Sequence, residues 1–226
     1  MSIKLVVFDM AGTTVKDKNY VGLAFQQAMK VHGYEVNIEV INPMMGYEKP
    51  IAIEMILQKE ESDQTKITAE LIANIHADFV AFMIDFYQTS ADVVPLPNVE
   101  NTFVQLKKLG IKIGLDTGFS RDIADIILSR LKWEDTVDFM VASDEVPNGR
   151  PYPDMIKKIM AELNITDPME VAKVGDTEVD VNEGLNSGCK YTIGITTGAF
   201  THAELLPYHP THIIDDIAEV LEIISQ

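Results

Sequence analysis

Five short runs rich in β-branched residues punctuate the chain, and no other feature narrows its fold as far: IKLVVF, IKIGLD, VDFMVA, EVAKVG and YTIGIT. Each is apolar over successive positions, the pattern of a strand covered on both faces. Between the later runs lie helical patterns, one at 99–109, stopped by Gly110, and one at 121–131. Strands that alternate with helices build a parallel sheet, because each parallel connection has to cross a face of it. The expected fold class is α/β, a doubly wound, Rossmann-like parallel sheet.

The first interval breaks this alternation. Residues 16–91 contain no convincing strand and show helical spacing instead. Val21, Phe25, Ala28 and Met29 share one face, as do Leu71, Ile75, Phe79, Phe82, Met83 and Phe86. We expect a small α-helical cap domain over 16–91, inserted after the first strand into a core of 1–15 and 92–226. A chain of 226 residues is long enough for both. The crossings are VKDKNY and DVVPLPNVE, the second stiffened by Pro95 and Pro97. Two close crossings would let the insertion move as a lid and exclude water.

In open parallel sheets ligands bind beyond the carboxyl ends of the strands. There the chain carries Asp9 with MAGTT, Thr117 in LDTGFSR, NGRPYPDM and VGDTEVD. Singly, each has a structural explanation: Thr-Gly is a common turn or cap, GRPYP a proline-rich loop, and Asp176 with Asp180 an i, i+4 pair at a helix start. Their occurrence in order at successive strand ends points instead to phosphoryl transfer. Asp9 and Asp176 would meet across adjacent strand ends, where two carboxylates need a cation to stay ionised. Oxygen ligands suit a hard ion, most plausibly Mg²⁺, with Asp180 either a ligand or a support behind one. The Thr117 hydroxyl and the amides of the Gly12 and Gly118 turns can donate to phosphoryl oxygens. Arg150 can hold two such oxygens with its planar fork.

Composition excludes several other classes. A formal charge of −17 argues against bulk electrostatic binding of nucleic acid or an anionic membrane, though a local pocket can still be positive enough for a small anionic substrate. No apolar run approaches the roughly 20 residues of a membrane span, and the run at 3–8 is too short for a signal peptide. Cys189 is the sole cysteine, so no disulfide can form within the chain and a reducing cytoplasm is the expected setting. Its surroundings, SGCKYTIGI, suit a small packed residue better than a nucleophile. His209 and His212 lack a partner pair at zinc spacing and read as a loop before a last strand, and Trp133 reads as packing.

The four strand-end stretches, in this order over 1–15 and 92–226, resemble the haloacid dehalogenase superfamily. That resemblance implies that Asp9 is a nucleophile forming an aspartyl-phosphate. It implies metal ligation by Asp9, the backbone carbonyl of Ala11, Asp176 and Asp180, and substrate contacts from Gly12, Thr13, Gly46 and Gly118. The superfamily usually carries a second acid two residues after the nucleophile, which protonates the leaving oxygen of an ester. Here that residue is Ala11.

DMAGT together with GRPYP, which has Arg where most members have Lys, is similar to the phosphonatase-like branch. In that branch a cap lysine forms a Schiff base with a substrate carbonyl and the leaving group departs as an enamine carbon. A missing general acid costs an esterase roughly 10²- to 10⁴-fold; an enamine leaving group avoids most of that loss. Lys49 in MMGYEKP matches the branch's lysine motif, and the apolar residues around it could lower its pKa. Two other readings of Lys49 stand beside this one, a solvated residue at a helix start and a permanently charged anchor for a substrate anion. The branch's His three positions after the lysine is Ala52 here, and its Thr-Gly-Tyr is Thr117-Gly118-Phe119. Glu48, His32 or water could handle protons instead.

The expected activity is cleavage of the carbon–phosphorus bond of a small 2-oxoalkylphosphonate. A phosphate-ester phosphatase that tolerates Ala11 is a second reading, and a non-catalytic phosphate- or partner-binding protein a third. The resemblance also implies a homodimer joined through the cap.

Overall fold

The computed structural model describes residues 2–225. Leu5–Phe8 forms β1, four apolar residues with no exposed surface, which a strand in the middle of a two-faced sheet requires. Four helices follow it: α1 (Tyr20–Val31), α2 (Ile38–Ile41), α3 (Lys49–Glu60) and α4 (Ala69–Thr89). Then α5 (Val99–Lys108) leads to β2 (Lys112–Thr117), and strand and helix alternate through α6 (Arg121–Leu131), β3 (Phe139–Ala142), α7 (Asp154–Glu162) and β4 (Val171–Gly175). The chain closes with α8 (Glu178–Ser187), β5 (Tyr191–Ile195), α9 (His202–Leu205), β6 (His212–Ile214) and α10 (Val220–Ile224). The five expected strands all form, and β6 follows the His-Pro loop.

All six strands are parallel, in the order β3-β2-β1-β4-β5-β6. The chain winds outward from β1 through β2 and β3, then returns and winds the other way from β4. The direction therefore reverses between β1 and β4, where the carboxyl ends open a crevice. Helices cover both faces, as a parallel sheet demands. Leu5 and Val7 pack with Met155, Ile156 and Ile159 of α7, while Val6 and Phe8 point into the opposite layer with Phe103, Ile123 and Ile127.

The helices between β1 and β2 form from the spacing read above. Phe25 and Phe79 stack with ring centroids 4.4 Å apart, joining α1 to α4. Thr68 caps α4 by accepting the Leu71 N–H at 3.1 Å. Pro50 sits in the first turn of α3, where its missing N–H costs nothing. The segment also leans on the sheet layers. α4 packs along α6, and the Arg130 guanidinium donates to the carbonyls of Gln88 and Ser90. Trp133 is buried against Phe103 at 5.3 Å, and Phe103 against Phe8 at 5.5 Å. Among the described residues no helix is long and apolar enough to cross a membrane.

Phe103 thus links β1 to the helical layer. We expect Phe103→Ala to lower the unfolding free energy by about 3–5 kcal/mol, as a shift of the urea midpoint at unchanged slope. A shift below about 1 kcal/mol would contradict this packing.

Candidate active site

The reversal point places one polar group from each of the first four strand ends around a single cavity of about 220 Å³. Asp9 follows β1, Thr117 ends β2, Arg150 comes from the loop after β3, and Asp176 follows β4. All four are at most 5% exposed and line the cavity. Lys49, the first residue of α3, lines the facing wall with Gly46. Gly118 and the Ala11 position complete the set drawn together from the sequence.

Gly46 and Gly118 explain how closely the two walls meet. A β-carbon on Gly118 would lie 2.7 Å from the Tyr47 carbonyl oxygen and 2.9 Å from that of Gly46. Gly46 itself has φ +84°, a conformation side chains disfavour, and a β-carbon there would strike Thr177. The Tyr47 hydroxyl donates to Glu178 Oε1 at 2.9 Å across the same seam. The lysine-bearing loop is thereby seated directly on the strand ends.

The floor is a buried ionic network. Arg150 Nη2 lies 2.7 Å from Asp9 Oδ1 and 2.7 Å from Asp116 Oδ1, and its Nη1 is 2.9 Å from Asp180 Oδ1. Lys173 pairs with Asp116, and also with Glu183 Oε2 at 3.0 Å and Asp180 Oδ1 at 3.2 Å. Four buried carboxylates, Asp9, Asp116, Asp180 and Glu183, thus surround two buried cations, and a fifth, Asp176, is buried beside them. Burial and the neighbouring acids push Asp9 up to about 6 although Arg150 opposes the shift. Asp116 is held below the usual carboxylate range because Lys173 and Arg150 outweigh its desolvation. Burial drives Asp176 well above that range, and Asp9 adds to the rise.

This excess of negative charge fits a hard divalent cation, and the donor set is entirely oxygen. Asp9, Asp116 and Asp180 bring carboxylate oxygens within 4.8 Å of one another. Arg150 and Lys173 already occupy the space between those three, however, and would repel a second cation. Asp176 differs, since its contacts are neutral donors: Thr13 Oγ1 at 3.2 Å to Oδ1 and the Ala199 N–H at 2.7 Å to Oδ2. The carboxylate least compensated by protein cations is therefore Asp176, beside Asp9.

Lys49 is 5% exposed. Its amine donates to the Tyr47 carbonyl at 3.2 Å and lies 5.0 Å over the Phe119 ring. Desolvation, reinforced by Arg150, lowers its pKa to about 8. The reading of Lys49 as a solvated helix-start residue does not fit this burial.

Not every expected residue reaches the cavity wall. Thr13 lies behind it with its hydroxyl on Asp176, and Gly12 turns beside Asp176 at φ +92°. Asp180 also lies behind: its Oδ2 caps α8, accepting the Thr177 N–H at 3.2 Å and the Thr177 hydroxyl at 2.5 Å. His32 pairs with Asp78 at 2.8 Å, away from the cavity, and Glu48 does not line it. Cys189 is half-buried, its thiol pushed up to about 12 by burial, which leaves no nucleophile there. Sequence reasoning missed Asp116, Lys173, Glu183, Asp17 and Asn42. A charged residue inside an otherwise apolar strand, as in IGLDT and VAKVG, was the available signal for the first two.

A model of the haloacid dehalogenase-like hydrolases matches residues 6–193. A phosphonoacetaldehyde hydrolase of Bacillus cereus is 31% identical over 208 residues, covering 88% of this chain and 78% of that protein. One of Bacillus mycoides is 32% identical over 211 residues, with the same coverage. The crystal structure of a phosphonoacetaldehyde hydrolase-like protein from Oleispira antarctica superposes with a TM-score of 0.87 at 24% identity, covering 100% of this chain and 92% of that one.

Unfolding would return Lys49 to an ordinary pKa of 10.5. Between about pH 8 and pH 10.5 the unfolded chain binds more protons than the folded one, so stability rises with pH across that window. Below it the folded protein bears the whole desolvation cost, about 3 kcal/mol. We expect Lys49→Met to stabilise the protein by about that amount at pH 7, with the gain shrinking towards pH 10.5 in urea titrations at stepped pH. A gain that does not change with pH would show that the amine is not desolvated.

Proposed function

The chain belongs to the haloacid dehalogenase-like hydrolases, and from that membership we propose that it cleaves the carbon–phosphorus bond of a small 2-oxoalkylphosphonate. The observation that carries this reading is a buried lysine amine of lowered pKa in the same cavity as the Asp9 carboxylate, with a methyl group, Ala11, where a proton donor to an ester oxygen would stand. The likeness to proteins named phosphonoacetaldehyde hydrolase supports it.

Asp9 is the nucleophile. With a pKa of about 6 it is mostly ionised at neutral pH, and it attacks phosphorus to form an aspartyl-phosphate. The Thr117 hydroxyl and Arg150 Nη2, the arm that reaches Asp9, hold phosphoryl oxygens, while Asp180 occupies the other arm and Asp116 backs the guanidinium. Asp9, the Ala11 carbonyl and Asp176 would hold Mg²⁺, which supplies charge neutralisation at the phosphoryl group. Asp180 and Thr13 stand behind those ligands.

Lys49 supplies the electron sink. At pH 7 a lysine of pKa near 8 is about one tenth neutral, against a few parts in ten thousand for a solvated one. The neutral amine adds to the substrate carbonyl, water is lost and an iminium results. When the carbon–phosphorus bond breaks, its electron pair passes into the enamine, and no oxyanion has to be protonated. Water then hydrolyses the aspartyl-phosphate, the proton it releases is taken up by the enamine carbon to regenerate an iminium, and a second water hydrolyses that iminium. The seam at Gly46, Gly118 and Tyr47 closes 16–91 over the core as a cap during these steps.

Borohydride added with 2-oxoethylphosphonate or 2-oxopropylphosphonate should leave a covalent mass increase on the Lys49 peptide, absent in Lys49→Arg. Phosphate release should fall by about 10³-fold or more in both Lys49→Arg and Asp9→Asn, and kcat/KM should rise with pH through about 8. Turnover of phosphate esters with no adduct from any oxo-phosphonate would replace this reading with the phosphatase one.

A further inference from the structure

The imine chemistry proposed above needs a proton donor and acceptor beside Lys49, and Ala52 offers none. We propose that Asp17 performs this task, giving the proton that expels water during imine formation and recovering one during imine hydrolysis. This rests on the oxo-phosphonate reading of the site.

The cavity itself makes the assignment. Its titratable lining groups are Asp9, Asp17, Lys49, Arg150 and Asp176. Asp9, Arg150 and Asp176 belong to the phosphoryl floor, and Lys49 is the amine. Asp17 alone is left, and it stands on the strand-crossing segment before α1. Its neighbours in the wall, Asn19, Asn42 and Val21, do not titrate. The other candidates are placed elsewhere: His32 in its pair with Asp78, and Glu48 outside the lining.

Asp17 is held in place but not consumed by that hold. Its Oδ1 accepts the Tyr20 N–H at 2.6 Å, which fixes the carboxylate at the start of α1. The titratable groups that face it are Lys49 from α3, Tyr87 from α4 and Tyr20 from α1. Burial raises its pKa despite the backbone hydrogen bonds and Lys49, which enlarges the fraction able to donate near neutral pH.

The steps balance. Neutral Lys49 adds to the carbonyl carbon, forming a carbon–nitrogen bond, and a proton passes from nitrogen to the former carbonyl oxygen. The Asp17 carboxylic acid protonates that hydroxyl, the carbon–oxygen bond breaks, water leaves and the iminium forms with Asp17 ionised. After the phosphoryl group has transferred, the enamine carbon that bore phosphorus takes up the proton released as water hydrolyses the aspartyl-phosphate, which regenerates the iminium; a second water then adds to the iminium carbon and Asp17 takes one of its protons. The carboxylic acid is thereby restored for the next turnover.

Asp17→Asn keeps an oxygen to accept the Tyr20 N–H and removes only the exchangeable proton. It should slow borohydride-trappable adduct formation on Lys49 and phosphate release from 2-oxoethylphosphonate by about 10²- to 10⁴-fold. Inhibition by inorganic phosphate should stay within about twofold of the unaltered enzyme, because the floor is untouched. Added formate or acetate should restore part of the rate in Asp17→Ala, which a purely structural role would not permit. Trapping at an unaltered rate in Asp17→Asn, or loss of activity in Asp17→Ala with no response to carboxylates, overturns the role while leaving the imine standing. No adduct in the unaltered enzyme overturns the imine and this role together.

Discussion

Crowding of carboxylates at the point where the sheet reverses direction governs the rest of this structure. Parallel strands bring the residues after β1 and β4 side by side, and both are aspartates. Burying acids there is unfavourable unless positive charge accompanies them. The protein supplies two cations from beneath, Arg150 and Lys173, each shared among several acids. Buried arrays of this kind contribute little net stability. Their value lies in fixing geometry, and here they hold Arg150 with its fork beside Asp9 and its flanks occupied by Asp116 and Asp180.

Environment divides the work among chemically similar groups. Asp116, next to Lys173, stays ionised and serves as a fixed counter-charge, whereas Asp176 meets only neutral donors and is pushed up. The two lysines diverge in the same way. Lys173, ringed by acids, is held protonated above the ordinary lysine range; Lys49, under aromatic rings and facing Arg150, falls to about 8. One chain thus carries a lysine held as an ammonium and a lysine whose amine is readily deprotonated, and their surroundings alone distinguish them.

Much of this was legible in the sequence because the relevant signals are local. Strand runs such as IKLVVF and helical stripes such as Val21, Phe25 and Met29 declare themselves within a dozen residues, and the topology of parallel sheets then gathers the strand ends. Asp9, Thr117, Arg150 and Asp176 could be grouped for that reason. The network beneath them could not, because Asp116, Lys173 and Glu183 meet only once β2, β4 and α8 are packed together. Asp17 was hidden for the same reason: VKDKNY reads as a polar crossing, and only the closure of α3 above it brings the carboxylate near Lys49. Thr13 shows the converse case, a hydroxyl in a suggestive motif that turns inwards to Asp176.

The seam between the 46–47 loop and the strand ends has a consequence for timing. The amine of Lys49 is dry only while the Tyr47 phenol rests on Glu178 and the loop carbonyls press against Gly118. Were the loop lifted away, the same side chain would regain its hydration and, near neutral pH, its proton. On the proposed function, stray aldehydes and ketones reaching a lifted loop would meet an inert ammonium, and carbonyl chemistry would be confined to the closed chamber.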